Sequence, residues 1–386
     1  MKRHKITLLI GTRPEVIKQA PLAFAAGDSA DWSANIVFTG QHRDMGLQML
    51  GDLGLRADRD LALMAPNQTP ADFLGVAVPA ISRLLRSERP DWVAVQGDTT
   101  TALAGALAGF YERVPVVHIE AGLRTYNPWL PFPEEMHRQL VTRVSQAHAA
   151  PTALAAKMLE NERVEAGRIL VSGNTGIDCL LRIAAAQRAA ANPPEELTPQ
   201  LIEATETHRD WHRPLILVTL HRRESIGTTM EGMCSAIAAV ARKHSRAFII
   251  LPVHLNPLVQ EVVHRRLGGI SNILLIPPQS YRPFAWLLDR CTLVLTDSGG
   301  IQEEAPALGK PVLVLRDVTE RPEAVECGAA ELVGCEQDAI YAAADRLLSD
   351  RGEYARRAVP RFPFGDGRAA IKILEWLRRL PSTIPA

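Results

Sequence analysis

Short apolar runs recur along this chain, each followed by a longer segment of helical character. In the first half the runs are KITLLI, NIVFTG, DWVAVQGD, PVVHIEAG and RILVSG; in the second they are PLILVTLH, AFIILPVH, NILLIPPQ, CTLVLTDSGG and PVLVLRD. Their hydrophobicity is continuous rather than alternating. That is the pattern of strands covered on both faces by helices, so each half predicts a parallel sheet. The repeated strand, helix, strand order predicts an α/β protein made of two Rossmann-like doubly wound domains.

Between the two blocks lies a different texture. Residues 173 to 214 carry an alanine-rich helical stretch, the pair Pro193 and Pro194, and then a polar segment with little apolar period. A boundary near residue 175 follows, giving domains 1–175 and 176–365 with a surface excursion before the second sheet. The tail GRAAIKILEWLRRL has the spacing of an amphipathic helix after the turn FPFGDG, and is expected to pack back on the first domain from residues 366–386. No internal repeat is visible.

Composition narrows the class. At 386 residues the chain exceeds one ordinary hydrophobic core. Its 43 basic and 43 acidic side chains cancel, so no long-range field recommends nucleic acid or an anionic membrane, and an anionic ligand must be held by local charge. The five cysteines are scattered, odd in number and without metal-ligand spacing, which predicts reduced thiols in a cytoplasmic protein and no metal centre. ITLLI is too short for a signal peptide, and no window approaches the roughly 18 apolar residues of a membrane span.

Ligands of doubly wound sheets bind beyond the carboxyl ends of the strands, so the residues after each run are the candidates. GTRPEVIK follows the first, placing Arg13 and Lys18 near a helix N-terminus that suits phosphate. GDTTT places Asp98 at a strand tip, and HIEAGLR places His118, Glu120 and Arg124 at the next. The loop TYNPWLPFPEEMHR then brings Glu134, Glu135, His137 and Arg138. In the second half HRRES supplies His221, Arg222 and Arg223, whose position favours a diphosphate, and His254 ends the following run.

Ordinary structural readings stand beside these. Asp98 before three threonines is also a helix cap, and the glutamates after PFP are also first-turn residues that complement the helix dipole. His254 alone is a structural histidine as readily as a ligand contact. Glu120 is harder to place that way, because a carboxylate ending a buried strand needs a partner.

The stretch DSGGIQEEAPALGKPVLVLRD joins a glycine turn to two glutamates. Ser298, Gly299 and Gly300 open a helix whose N–H groups suit a phosphate, with Ser298 able to cap or to donate to the ligand. A carboxylate one turn further in, Glu304, would be repelled by phosphate but can accept from a ribose diol. No G-x-G-x-x-G follows the first strand, no P-loop sequence occurs, and no His and Cys cluster calls for a metal. Carboxylates, imidazoles and a nucleotide grip remain, which suits proton transfer or glycosyl chemistry on a nucleotide sugar.

Taken in order, GTRPEVIKQAPL, GDTTT, HIEAGLRT, PFPEEMHRQL, GNTGID, HRRES, PVHLNP, DSGGIQEEAPALGKPVLVLRD and TERPEAVECG resemble the non-hydrolysing bacterial UDP-N-acetylglucosamine 2-epimerases, from about residue 6 to about residue 367. The resemblance implies a glycosyltransferase-B-like fold with UDP in a cleft between two Rossmann-like domains. It implies interconversion of UDP-N-acetylglucosamine and UDP-N-acetylmannosamine without a cofactor, by anti elimination of UDP to 2-acetamidoglucal and re-addition. It assigns Asp98, Glu120 and Glu134 as catalytic carboxylates and His221 as a partner of the diphosphate.

It further makes Arg13, Lys18, Arg138, Ser298, Gly299, Gly300, Glu304 and Arg321 UDP-side contacts, with Gln279 and Phe284 resembling the uracil pocket. Some members carry a second, activating UDP-N-acetylglucosamine site. Gln41, His42, Gln68, Arg223 and His254 match parts of it, whereas Asn67 stands where some of those enzymes have arginine. Leu220 before His221 and His137 also depart from the usual residues, which leaves the sugar substituent open. A homodimer is implied too. Alternatives are an epimerase of a modified UDP-2-acetamido sugar, a hydrolysing epimerase, a glycosyltransferase on the same architecture, or a silent nucleotide-sugar sensor.

Overall fold

The computed structural model describes residues 3–190, 192–221 and 227–381. It divides into two compact units. One contains residues up to Cys179 together with those from Phe364 onward, and the other is Leu180–Pro363. The chain first passes between them inside the helix Thr175–Ala189.

In the first unit the strands are β1 (His4–Ile10), β2 (Trp32–Phe38), β3 (Arg59–Asp60), β4 (Trp92–Gln96), β5 (Val116–Ile119), β6 (Ala147–Ala150) and β7 (Ile169–Val171). They form one parallel sheet in the order β3-β2-β1-β4-β5-β6-β7. The order reverses between β1 and β4, the switch point at which doubly wound sheets bind ligands. The expected parallel sheets are present. Three strands lie where no apolar run predicts one: β3 (RD), β6 (AHAA) and, in the second unit, AEL at Ala330–Leu332. Each is short and poor in the β-branched residues that favour strands.

Helices cover both faces. The helix Arg13–Gly27 starts from a capping box in which Thr12 and Glu15 bond each other's backbone, a device worth about 1 kcal/mol. The helix Thr100–Tyr111 lies against β1 and β4 so closely that a Cβ at Gly105 would come within 2.5 Å of Leu9 Cδ1 and 2.8 Å of Val95 Cγ1. Its start, immediately after Asp98, is thereby fixed to the sheet. The core on this face includes Leu9, Phe73, Ile81, Val93, Val95 and Val116.

The final helix, Ala369–Leu377, buries Ala369, Ala370, Ile373, Leu374 and Leu377, the expected amphipathic stripe. Its own N-cap residue makes no capping bond. Asp178 does so from elsewhere in the sequence, accepting from the N–H groups of Ala369 (2.9 Å) and Ala370 (3.1 Å). Beside it, Asn174 N–H donates to Phe364 O at 2.6 Å.

The second unit repeats the plan. Its strands are β8 (Leu215–Thr219), β9 (Phe248–Pro252), β10 (Ile273–Ile276), β11 (Leu293–Thr296), β12 (Val312–Val314) and β13 (Ala330–Leu332). Their order, β10-β9-β8-β11-β12-β13, again reverses between its first and fourth strands. The polar segment before this sheet is not structureless: Thr198 caps a helix, Pro199–Thr207, that buries Leu201, Ala204 and Thr205. The proline ahead of that apolar spacing is a first-turn residue rather than a breaker. Among the described residues no helix is long and apolar enough to cross a membrane.

Candidate active site

The end of β4 turns sharply through Gly97, whose φ of +69° suits glycine, and delivers Asp98. The helix cap that follows is Thr99, whose hydroxyl accepts from Ala102 N–H at 3.0 Å. Asp98 is therefore not the cap, and its carboxylate is left for other work. Arg138 donates to it from Nε at 2.8 Å and from a terminal nitrogen at 2.7 Å. Burial pushes the Asp98 carboxyl above its ordinary range; the opposing pull of Arg138 and Lys18 is outweighed with the help of the neighbouring Glu120 charge.

Glu120 follows β5 with φ of +62°, a left-handed conformation that costs a residue with a side chain on the order of 1–2 kcal/mol. Its carboxylate is nearly buried and accepts from Lys18 Nζ and Gln96 Nε2. Those two bonds fix the carboxylate and hold the turn. Lys18, expected near a phosphate, has this carboxylate as its described partner, while Arg13 is exposed at the first residue of its helix.

The paired glutamates after PFP separate cleanly. Glu135 is fully buried and accepts from Thr125 N–H (2.9 Å), Tyr126 N–H (3.1 Å) and Gln139 Nε2 (2.9 Å), with Arg138 at 3.5 Å. Burial alone would raise its pKa, but these bonds more than offset it and hold the carboxyl below its usual range. Glu135 anchors the loop. Glu134, the first residue of the helix Glu134–Val144, is half-buried, and its carboxylate has no hydrogen-bond or ion-pair partner among the described residues.

Two strand-end candidates prove structural. Arg124 is buried and grips Glu162 through Nε (2.6 Å) and a second nitrogen (3.1 Å), also donating to Thr142 and to Leu123 O. His118 is fully buried; desolvation drives its pKa down to about 4, so it is a neutral imidazole. A residue not singled out from sequence, Glu15, is also fully buried. It accepts from Gly11 N–H (2.9 Å), Thr12 N–H (2.8 Å) and both threonine hydroxyls, Thr12 at 2.9 Å and Thr99 at 2.6 Å. Burial nevertheless lifts its pKa to about 7. A glutamate three residues after a threonine signals a capping box, but the bond to Thr99 links distant parts of the chain and has no local signal.

In the second unit His221 ends β8 and Asp297 ends β11, on the two sides of the switch point. Asp297 is fully buried; its Oδ1 lies 2.9 Å from His221 Nδ1 and its Oδ2 accepts from His221 N–H at 2.9 Å. The carboxylate thus places the proton on Nδ1 and turns Nε2 outward from a ring whose side chain is 42% exposed. Sequence reasoning chose His221 and passed over Asp297, because the pairing depends on strand order.

Ser298 occupies the N-cap of the helix Gly299–Ala307, yet its hydroxyl makes no capping hydrogen bond among the described residues. A Cβ at Gly300 would meet nothing nearer than Ser298 Oγ at 4.0 Å, so packing within the chain does not demand glycine there. The two glutamates of this helix also diverge: Glu303 is buried against Arg321 Nε, and Glu304 accepts from the Tyr281 hydroxyl at 2.8 Å. Gln279 donates to Pro277 O at 2.8 Å, and Phe284 is half-buried in the helix Tyr281–Arg290.

Of the remaining candidates, Gln41 accepts from Thr101 N–H (3.2 Å) and hydroxyl (2.9 Å), Gln68 accepts from Ala65 N–H (3.0 Å), and His42 precedes the helix Arg43–Asp52. His254 is exposed, with Nδ1 accepting from Asn256 N–H at 3.2 Å. Arg222 and Arg223 lie outside the described residues.

The chain is similar to known proteins along nearly its whole length. The profile of the UDP-N-acetylglucosamine 2-epimerase family matches residues 25–378. The UDP-N-acetylglucosamine 2-epimerase of Escherichia coli (strain K12) is 44% identical over 374 residues, covering 97% of this chain and 98% of that one. That of Yersinia pestis is 44% identical over 380 residues, covering 98% and 100%. The crystal structure of the Neisseria meningitidis UDP-GlcNAc 2-epimerase bound to UDP-GlcNAc superposes with a TM-score of 0.84 at 38% identity, covering 97% of this chain and 100% of that one.

Proposed function

Because this chain belongs to the UDP-N-acetylglucosamine 2-epimerase family, we propose that it inverts C2 of UDP-N-acetylglucosamine, without hydrolysis, by expelling and recapturing UDP. The C2 proton is poorly acidic because no carbonyl adjoins that carbon. Departure of UDP from C1 makes its loss feasible, giving 2-acetamidoglucal, and re-addition with protonation on the other face gives the mannosamine epimer.

The roles follow from the local chemistry. Asp98, Glu120 and Glu134 share the two proton transfers. One carboxylate takes the C2 proton and another returns one on the opposite face, a division served by their different partners. The observation that carries this is the contrast between adjacent strand-end acids: Glu120 bonded to Lys18 and Gln96, and Asp98 paired with Arg138 with its pKa raised by burial. His221, oriented by Asp297, serves the leaving diphosphate. Arg13, Lys18, Arg138, Ser298, Gly299, Gly300 and Arg321 serve the UDP side, Glu304 the ribose, and Gln279 and Phe284 the uracil.

The open side of Gly300 and the unspent Ser298 hydroxyl support a phosphate there. Water must be kept from the glycal, which calls for closure around the nucleotide. The proposal extends to a homodimer and a cytoplasmic location, and to an activating second UDP-N-acetylglucosamine bound around Gln41, His42, Gln68, Arg223 and His254. A sigmoidal rate curve that becomes hyperbolic in Gln41→Ala would support the second site; a curve hyperbolic from the start would remove it.

Product analysis tests the main reading. Incubation with UDP-N-acetylglucosamine should build up UDP-N-acetylmannosamine, followed by proton NMR, with no free sugar. Free N-acetylmannosamine would mark a hydrolysing enzyme. Unchanged substrate with folded protein that binds UDP would mark a silent binder.

A further inference from the structure

The turn that carries Asp98 is held at two successive carbonyls by two imidazoles from different elements. His118 on β5 places Nε2 2.8 Å from Gly97 O, and His137 on the helix Glu134–Val144 places Nδ1 2.8 Å from Asp98 O. The next residue, Thr99, is tied through its hydroxyl to the buried Glu15. A carbonyl oxygen only accepts, so the proton sits on Nε2 at 118 and on Nδ1 at 137. The other nitrogen of His118, Nδ1, is buried without a hydrogen-bond partner among the described residues.

These bonds bear on Asp98 because of what precedes it. Gly97 has left-handed φ and no Cβ, so the peptide planes on either side of it rotate at little steric cost. Side-chain direction at Asp98 follows those planes. Without these two donors the carboxylate would sweep through positions away from Arg138 and Glu120, and a misplacement of about 1 Å is worth orders of magnitude in rate.

We propose that His118 and His137 are positioning residues for Asp98, acting through one defined N–H each, at Nε2 and at Nδ1 respectively. The inference rests on the reading that Asp98 takes part in the epimerisation. It makes an atom-specific demand, because glutamine places its amide nitrogen where Nε2 of histidine lies, and asparagine places its own where Nδ1 lies. The two positions therefore require opposite replacements.

The experiment measures kcat and KM for UDP-N-acetylglucosamine in His118→Gln, His118→Asn, His137→Asn, His137→Gln and the leucine variant at each site. Thermal melts and UDP titration calorimetry accompany the kinetics. His118→Gln and His137→Asn should keep kcat within about 3-fold. The crossed variants and the leucines should lose roughly 10- to 100-fold in kcat, with KM and UDP affinity within about 3-fold. Equal loss for glutamine and asparagine at either position, or full activity in both leucine variants, overturns the proposal.

A readout independent of turnover separates this idea from the functional reading. Long-range proton–nitrogen NMR on histidine-labelled protein, assigned by signal loss in His118→Gln and His137→Asn, should show Nε2–H at 118 and Nδ1–H at 137. The opposite tautomer at either site defeats the clamp even in a fully active enzyme. Absence of epimerase activity in wild-type protein with the expected tautomers defeats the functional reading instead, and the clamp stands as a feature of the turn.

Discussion

Beyond β1, β4 and β5 of the first unit lie Glu15, Lys18, Asp98 and Glu120, each bonded to a named partner inside that unit. Beyond β8 and β11 of the second unit lie an imidazole aimed outward by Asp297 and a helix start whose N-cap hydroxyl makes no capping bond among the described residues. The sheets share a strand order, so topology does not make this difference. Such bonding holds acids in a defined geometry, which proton transfer needs. Donors left unspent suit an anion that arrives and leaves. On the proposed reading, similar scaffolds carry two kinds of chemistry through the residues placed at their strand ends.

The largest expected effect concerns the carboxylates of the first unit. Asp98→Asn, Glu120→Gln and Glu134→Gln should each lower kcat by about 100-fold or more, while calorimetric UDP affinity stays within a few-fold. Parallel loss of UDP binding in all three would erase the division of labour. Next, Asp297→Asn should cost roughly 10-fold in kcat, because an amide no longer fixes the tautomer of His221. Unchanged kinetics would show that the outward imidazole needs no orientation.

A smaller effect is expected at Gly300→Ala. Among the described residues outside its own stretch of helix, a new methyl meets no atom nearer than 4.0 Å, so the melting temperature should hold while UDP binding weakens roughly 3- to 10-fold. A melting shift without a change in UDP affinity would make that glycine structural.

The smallest effect is in stability against pH. Glu15 keeps its proton in the folded state up to about pH 7 against an ordinary 4.5, so its contribution is present below 4.5 and lost as pH rises through 7. His118 and His148 behave oppositely. Burial lowers them to about 4 and about 3 from 6.5, so their contribution is present above 6.5 and lost as pH falls toward those values. Between pH 6.5 and 4.5 the two terms oppose. Urea titrations should therefore show a steeper acid loss in Glu15→Gln and a shallower one in His148→Gln. The reverse order would refute the assignment of these buried charges.

Much of this was legible in the chain. Continuous apolar runs such as LILVT and LVLT mark buried parallel strands, and the residues after them include both the carboxylates and the glycine turn. AHAA and AEL were invisible because alanine and glutamate carry no strand signal of their own. The residues alone left Glu134 and Glu135 together until the resemblance chose Glu134, and Glu304 was chosen over Glu303 without knowledge of the partner of either. Neighbours on a helix point in different directions, and their partners, Thr125 and Arg321, depend on how loops return. Arg124 illustrates the same limit, since its place after a strand suggested ligand contact while Glu162, far along the chain, claims it. Asp297 and Glu15 became functional candidates only when their neighbours across the sheet were known.

The most direct measurement is isotope exchange at C2. UDP-N-acetylglucosamine incubated with the protein in deuterated water, with no acceptor added, should gain deuterium at C2 in both epimers, and Glu120→Gln should slow that gain by about 100-fold. Folded wild-type protein that binds UDP yet leaves C2 fully protonated would contradict the account.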